Sequence, residues 1–420
     1  MPISKKEISP SQMIVIVALA TALSLLGDSM LYIALPVFWK EASLDSIWQV
    51  GILLSINRFI RLPFNPVVGW VYKKIPLKSG LLFAVLLGGF TTLGYGLFSG
   101  FLAWVILRGL WGIAWSFLRI GGLSIVAILA DESHRGKLMG LYNGLYRLGS
   151  LAGMLIGGIM VPIIGLKAVS IAFGFFTLLG VPLILLFLKS SDGQHQSESP
   201  EFREKSKLYP SQLKYKMALI ATGFLITMLY QGVFTSTLSP VIERLHGQSI
   251  YIFGAVISVT LLSGLIQAAR WVWEPFLGRL FGQWSDGSKG RLPLFAGSLL
   301  SAGLAFGLIS SSLPLGVWLA IIFIVMISAT SITTIMDAIA LDASKNTNVV
   351  SFLTKYSIAQ DVGAALGPFV GYMIIGLRNG FTYLYWSGAG VFILLGILWS
   401  SVYFFGKRIR HKREGHIHLH

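Results

Sequence analysis

Twelve apolar runs of about 20 residues or more, each long enough to cross the hydrocarbon core of a bilayer, take up most of this chain. They fall approximately at 13–36, 47–72, 80–98, 102–130, 138–162, 168–188, 217–238, 251–284, 292–309, 315–341, 350–375 and 381–405. Lipid offers no partner for backbone N–H and C=O groups, so each run is expected to be helical. A closed barrel would need short strands that alternate polar and apolar residues, and these runs do not alternate. The eighth is too long for one straight crossing and is expected to be tilted, broken or begun outside the membrane. Only 12% of the 420 residues are charged, about half the share in a soluble domain, too few to coat a water-soluble fold of this size.

Alternate loops differ in charge. One side holds Lys5, Lys6, Lys73, Lys74, Lys78, Arg135, Lys137, the 189–216 segment, Lys289, Arg291, Lys345 and the tail 407–413. The other holds Lys40, Lys167, Arg244 and Arg378. By the positive-inside rule both termini are expected in the cytoplasm, and the net charge of +16 is then a topology signal rather than a nucleic-acid patch. The run after Lys5 and Lys6 exceeds a secretory leader's apolar core and no small-residue cleavage site follows, so it reads as the first span. The longest polar stretch, 190–216, reads as a cytoplasmic linker. The expected organisation is a six-helix bundle at 1–189, that linker, a second six-helix bundle at 217–406 and a basic cytoplasmic tail at 407–420. Cysteine is absent, which excludes disulfides and Cys-ligated metal sites.

The two halves resemble each other. Ser46-Ile47-Trp48-Gln49-Val50-Gly51 parallels Ser249-Ile250-Tyr251-Ile252-Phe253-Gly254, and Arg58 and Pro63 have the spacing of Arg270 and Pro275, with Arg61 where Glu274 lies. This register places extra residues in the eighth run. Gly149, Gly153 and Gly157 align with Gly363, Gly367 and Gly371, and Arg147 then aligns with Asp361. Parallel six-helix repeats place a solute site at their interface near the bilayer midplane.

Several local patterns resemble those of one family, the major facilitator superfamily, over essentially the whole chain. Its loop signature after the second span is similar to Gly282-Gln283-Trp284-Ser285-Asp286 with Lys289-Gly290-Arg291. In the first half Gly69-Trp70-Val71-Tyr72 leads instead to Lys73 where the family has an acid. Arg108-Gly109-Leu110-Trp111-Gly112 resembles the family's embedded arginine motif. Gly149-x-x-x-Gly153 with Gly157-Gly158 resembles the fifth-span motif of exporters, with Met154 in place of its proline and Gly367-Pro368 keeping it in the second half. Asp28 with Ala34-Leu35-Pro36 resembles the first-span motif of drug and metabolite exporters. The resemblance implies an all-α membrane protein of twelve transmembrane helices in two pseudo-symmetric six-helix bundles. It also implies proton-antiport transport, with Gly69, Lys73, Gly282, Asp286 and Arg291 in gating loops.

Ionisable residues within a bilayer are costly and usually functional. The acids are Asp28, Glu274, Asp337 and Asp361; the bases are Arg58, Arg61, Arg108, Arg119, Arg147 and Arg270. Counting rise per residue from the outer face places Asp28 and Arg108 level, so they are the first candidate ion pair. Arg58 and Arg61 fall near mid-depth. Arg270 and Glu274, four residues apart, share a helix face and are as well explained by mutual neutralisation as by function. Arg119 and Arg147 read most simply as snorkelling to an interface. The candidate solute or proton site is Asp28, Arg58, Arg61, Arg108, Arg270, Glu274, Asp337 and Asp361. Desolvation raises carboxyl pKa values generally, and every histidine (His134, His195, His246, His411, His416, His418, His420) lies outside the twelve runs. Proton coupling would therefore use Asp or Glu. The surplus of arginine favours a cargo carrying carboxylate or phosphate.

The glycine rows mark close helix contacts. They are expected to seat span five on eight and span eleven on two, with Arg147, Gly149, Gly153, Gly157, Gly363, Gly367, Pro368 and Gly371 at this seam. Tyr32, Trp111, Trp115, Tyr146, Tyr230, Trp271, Trp273 and Tyr356 are candidates to line a cavity. His416-x-His418-x-His420 reads as a solvated end rather than a metal site. No phosphate loop ending in Lys-Ser or Lys-Thr, no H-E-x-x-H and no G-x-S-x-G is present, so neither ATP-driven work nor intramembrane catalysis is expected, nor any cofactor or metal. The expectation is a monomer in a bacterial inner or plasma membrane that exports a small amphiphilic or anionic solute in exchange for protons. The alternatives are a nutrient importer or facilitator, or a non-transporting sensor.

Overall fold

The computed structural model describes residues 9–129, 135–188, 210–252, 255–287, 290–344 and 349–417. Most of the 190–216 linker, with Lys5, Lys6, His134, His195, Lys289, Lys345, His418 and His420, lies outside them. The chain separates into two compact units, Met1–Pro200 with Thr235–Ala269, and Glu201–Phe234 with Arg270–His420.

The first unit contains α1 (Pro10–Ala34), α2 (Ile47–Tyr72), α3 (Leu77–Leu97), α4 (Phe101–Leu129), α5 (Arg135–Ile164), α6 (Leu166–Leu178), α7 (Gly180–Phe187) and α9 (Thr235–His246). It also holds a hairpin, β1 (Ser249–Ile252) and β2 (Ala255–Ser258), and the start of α10 (Val259–Ser285). The second unit contains α8 (Pro210–Thr227), a π-helical segment Met228–Phe234, the rest of α10, α11 (Arg291–Leu308), α12 (Leu315–Ser344), α13 (Val349–Ile375) and α14 (Gly380–Ile417).

Local chemistry sets the breaks. Ser9 and Gln12 form a reciprocal capping box with Pro10 as the first helical residue, satisfying donors that the first turn leaves open. Pro182 has no N–H for the carbonyl of Leu178, and the sixth run accordingly divides into α6 and α7. Gly165 turns the chain between α5 and α6 at φ +86, where a side chain would be strained. There Glu41 Oε2 accepts a 2.8 Å hydrogen bond from Leu166 N at the start of α6. The seventh run is α8, the π segment and α9 in succession, so its helix extends to His246; that histidine ends a helix rather than lying beyond one.

Among the described residues ten helical stretches are long and apolar enough to cross a membrane. The two remaining long helices of the expected twelve, α2 and α10, are the ones that carry Arg58 and Arg61, and Arg270 and Glu274. Two expectations are corrected. The first part of the eighth run is an antiparallel hairpin in which Ser249 pairs with Ser258 and Ile252 with Ala255. Ser46, by contrast, is the N-cap of a helix. The repeat therefore begins in earnest at Val259, and Arg58 and Arg270 each lie eleven residues into their helices. The helix α14 runs on through the start of the basic tail to Ile417.

The glycine rows are also corrected, in partner rather than in face. Gly149 and Gly153 meet the backbone of Ala22 and Leu26 on α1, and Gly157 meets Met30. Gly363 meets Phe224 on α8, and Gly367 meets Met228 and Gly232 of the π segment; Pro368 and Gly371 are buried beside them. The rows thus seat α5 on α1 and α13 on α8 with its π segment, each pair within its own unit. Spacing identifies a face but not the helix it meets. The expected contact of span five with span eight is present as well: Met154 on α5 meets Gly264 on α10 backbone to backbone, and the Gly158 carbonyl accepts from Thr260 Oγ1 at 2.8 Å and from Ser258 Oγ at 3.2 Å.

Gly153→Ala should cost about 1–3 kcal/mol, because the new methyl meets backbone that cannot rotate away. Gly144→Ala, on the same helix with open space around it, should be neutral or gain up to about 1 kcal/mol. Thermal unfolding in detergent compares them; equal melting temperatures would remove the close approach of α5 to α1 as the reason for the row.

Candidate functional site

In the first unit the polar side chains of α1, α2, α3 and α4 converge on one arginine. Arg108 has no exposed surface, and Asp28 keeps 14% of its side chain accessible. Arg108 Nη1 donates to Asp28 Oδ1 at 2.5 Å, and Nε donates to the Leu53 carbonyl at 2.9 Å. Asn57 Nδ2 donates to the same Asp28 oxygen at 3.3 Å. Tyr32 lies under both cations, with the Arg58 and Arg108 guanidinium carbons 5.8 and 6.0 Å from its ring centre, and its hydroxyl accepts from Arg58 Nε at 3.2 Å. Arg61 Nε donates to the Asn57 carbonyl at 3.1 Å.

The glycine of the arginine motif explains how α2 and α4 come so close. A Cβ on Gly112 would lie 2.5 Å from the Asn57 carbonyl oxygen, so only glycine lets Leu53 and Asn57 reach Arg108. One turn further along α4, Trp111 and Trp115, and then Tyr146 on α5, run in sequence at ring separations of 5.8 and 6.0 Å.

The second unit holds two separate groups. Arg270 and Glu274 form the expected pair at 3.7 Å, both partly buried; the Arg270 guanidinium lies 6.0 Å from the Trp271 ring, and buried Tyr230 faces it. On α12, Asp337 accepts a 2.8 Å hydrogen bond from Tyr356 on α13. Tyr356 is buried while Asp337 is accessible. Trp273 packs edge-on against Phe323 at 5.6 Å and so belongs to the packing. Asp361 is exposed on α13, as are Arg119 on α4 and Arg147 on α5.

Of the loop residues, Arg291 bridges Asp286 at 2.9 Å and Asp342 at 3.3 Å, while Gly282 has open space around it. After α2 Lys73 is exposed, Gly69 has open space around it, and Lys74 sits 3.8 Å over the Trp70 ring. Sequence reasoning missed Asn57, Tyr95 and Asp342. The only available signal was a polar residue within or at the end of an apolar run, which many satisfied side chains also give.

The Major Facilitator Superfamily profile matches residues 17–352, most of the chain. The chain belongs to the Major Facilitator Superfamily. It is a multi-pass membrane protein of that superfamily. Among curated relatives, the human chromaffin granule amine transporter is 29% identical over 184 residues, 43% of this chain and 33% of that protein. The rat synaptic vesicular amine transporter is 26% identical over 176 residues, 42% and 33% of the two chains. These matches span about a third of the relatives' length. Among solved structures, a bacterial homologue of the human lysosomal transporter Spinster, inward-facing and unoccupied, has a TM-score of 0.74 at 15% identity, covering 95% of this chain and 97% of that one. A POT family transporter in complex with 5-aminolevulinic acid has a TM-score of 0.74 at 12% identity, covering 92% and 94%. At such identities the structures speak for the superfamily fold alone.

Removing one partner of a buried ion pair leaves an uncompensated charge, typically costing about 3–5 kcal/mol. Asp28→Asn and Arg108→Gln should each approach that loss. The double substitution should cost less than their sum by about 1–3 kcal/mol. Unfolding free energies from the four proteins give the coupling, and simple additivity would mean the pair does not hold in solution.

Proposed function

We propose that this transporter exchanges protons for a small amphiphilic or anionic solute and exports it across the cell membrane, with both termini in the cytoplasm. The observation that carries the reading is the Asp28–Arg108 pair, a fully buried guanidinium held by a carboxylate that keeps an accessible edge. Such a carboxylate can take a proton from solvent at its accessible edge, and neutralising it weakens its hold on the arginine. Protonation then changes the charge and the bonding of four helices at once, which is the kind of two-state element that coupling requires.

The cargo class follows from the charge count around the pair. Asp28 stands among Arg58, Arg61 and Arg108, so the group is net positive and suits a carboxylate or phosphate. Trp115 and Tyr146, both half-buried, supply apolar surface near it for an amphiphilic body. In the second unit Asp337 with Tyr356 is the further carboxylate offered as a proton or cargo group. A second reading has one specific support: the curated relatives named above are amine transporters. In that reading Asp28 or Asp337 receives an organic cation while protons leave.

Flux into proteoliposomes separates the readings. An acid-inside gradient should drive accumulation, about tenfold per pH unit for one-for-one exchange, and Asp28→Asn, reconstituted at a matched amount of folded protein, should abolish the gradient-driven part. A panel of aromatic carboxylates and aromatic amines identifies the cargo class. Uptake that persists unchanged after the gradient is collapsed would end the proton-exchange reading.

A further inference from the structure

Three buried polar atoms around the Asp28–Arg108 pair have no hydrogen-bond partner: Arg108 Nη2, Asn57 Oδ1 and Tyr95 Oη. All three side chains are buried, Arg108 and Tyr95 completely. Tyr95 sits beside Arg108, with Asp28 and Tyr32 also around it, but its hydroxyl does not complete a hydrogen bond of good geometry with the guanidinium. Its ring stacks on Trp104 at 4.9 Å and an interplanar angle of 30°, which fixes where the hydroxyl points. Buried polar groups are nearly always paired. One idle donor and two idle acceptors clustered at one ion pair therefore need a physical reason.

A second position for the arginine supplies one. Arg108 spends Nε on Leu53 and Nη1 on Asp28. When Asp28 is neutral, the guanidinium keeps its charge and loses its strongest acceptor, yet it has no route to solvent. Asn57 Oδ1 on α2 and Tyr95 Oη on α3 are the acceptors it can turn to without leaving the bundle. The ionisable and polar groups that face it are Asp28 and Tyr32 on α1, Asn57, Arg58 and Arg61 on α2, and Tyr95 on α3. Arg58 and Arg61 are cations and cannot accept.

We infer that Tyr95, with Asn57, is a positioning residue of the proton cycle: its hydroxyl receives the Arg108 guanidinium when Asp28 takes up a proton, and so sets how readily that proton binds. This rests on the proposed proton exchange at Asp28. The hydroxyl already lies against Arg108 in the ionised state without a well-formed hydrogen bond, and its loss removes more from the protonated state, where it takes the guanidinium, so protonation becomes harder and its midpoint moves to lower pH.

The test needs no cargo. The infrared carboxyl band of the purified transporter is titrated between pH 5 and 9, and the component missing from Asp28→Asn is assigned to protonated Asp28. In Tyr95→Phe, which keeps the ring, the midpoint of that component should fall by about half a pH unit, a threefold change in proton affinity. Tyr95→Leu, which also lacks the hydroxyl, should shift it the same way and serves if Tyr95→Phe does not fold; Asn57 is kept, because its Nδ2 also holds the ionised Asp28. An unchanged midpoint in the folded variants overturns the role of Tyr95 while leaving Asp28 as the proton site. Absence of any band that Asp28→Asn removes overturns the proton reading itself, and this inference with it.

Discussion

A guanidinium with no exposed surface is the most demanding group in this structure. Moving such an ion out of water costs several kcal/mol even after relaxation, and its partners must recover that cost in geometry. Arg108 does so with groups from three other helices: Asp28 and the ring of Tyr32 on α1, the Leu53 carbonyl on α2 and the nearby Tyr95 hydroxyl on α3. The positions of α1 to α4 at this depth are tied to one charge. A well-packed apolar replacement for such a pair is often neutral or more stable. Stability therefore does not explain why the charge is there, whereas a reaction that toggles the carboxylate does.

The glycine rows serve the same constraint from the outside. Helices in lipid gain nothing from hydrophobic exclusion and associate by close packing. Gly149 and Gly153 bring α5 onto α1 backbone to backbone, and Gly363 and Gly367 do the same for α13 against α8 and the π segment. Gly112 plays this part between α4 and α2, where the approach brings the Leu53 carbonyl within reach of Arg108. Rigid pairs of this kind hold a charge in place while it changes partners.

Much of this was legible in the sequence because lipid imposes few solutions. The helix of α2 occupies the residues that apolar length predicted, 47–72, and counting residues from the outer face brought Asp28 level with Arg108. Where reading failed, two structures shared one signal. The residues of β1 and β2 are apolar and β-branched, so they extended the eighth run instead of marking a hairpin. Small residues at four-residue spacing marked a packing face on α5 without telling α1 from α10. Tyr95 and Asn57 were invisible for another reason: neutral polar side chains in a span carry no cost large enough to single them out until their idle atoms are seen.

The loops after α2 and α10 are where the duplicated halves diverge most in chemistry. After α10 the turn is held by charge, with Arg291 shared between Asp286 and Asp342. Both turns also close through backbone bonds, Asp286 N and Gly287 N donating to the Gly282 and Trp284 carbonyls after α10, and Lys73 N and Lys74 N to the Trp70 and Val71 carbonyls after α2, where Lys73 stands in place of the acid. The acids of the first arrangement are well exposed, at 64% and 43% of their side chains. Exposed pairs of this sort are worth little as stability. Their effect is to orient a loop, and one that weakens with salt. The backbone turn after α2 has no such dependence, so the two halves, alike in their spans, need not respond alike to ionic conditions at these loops.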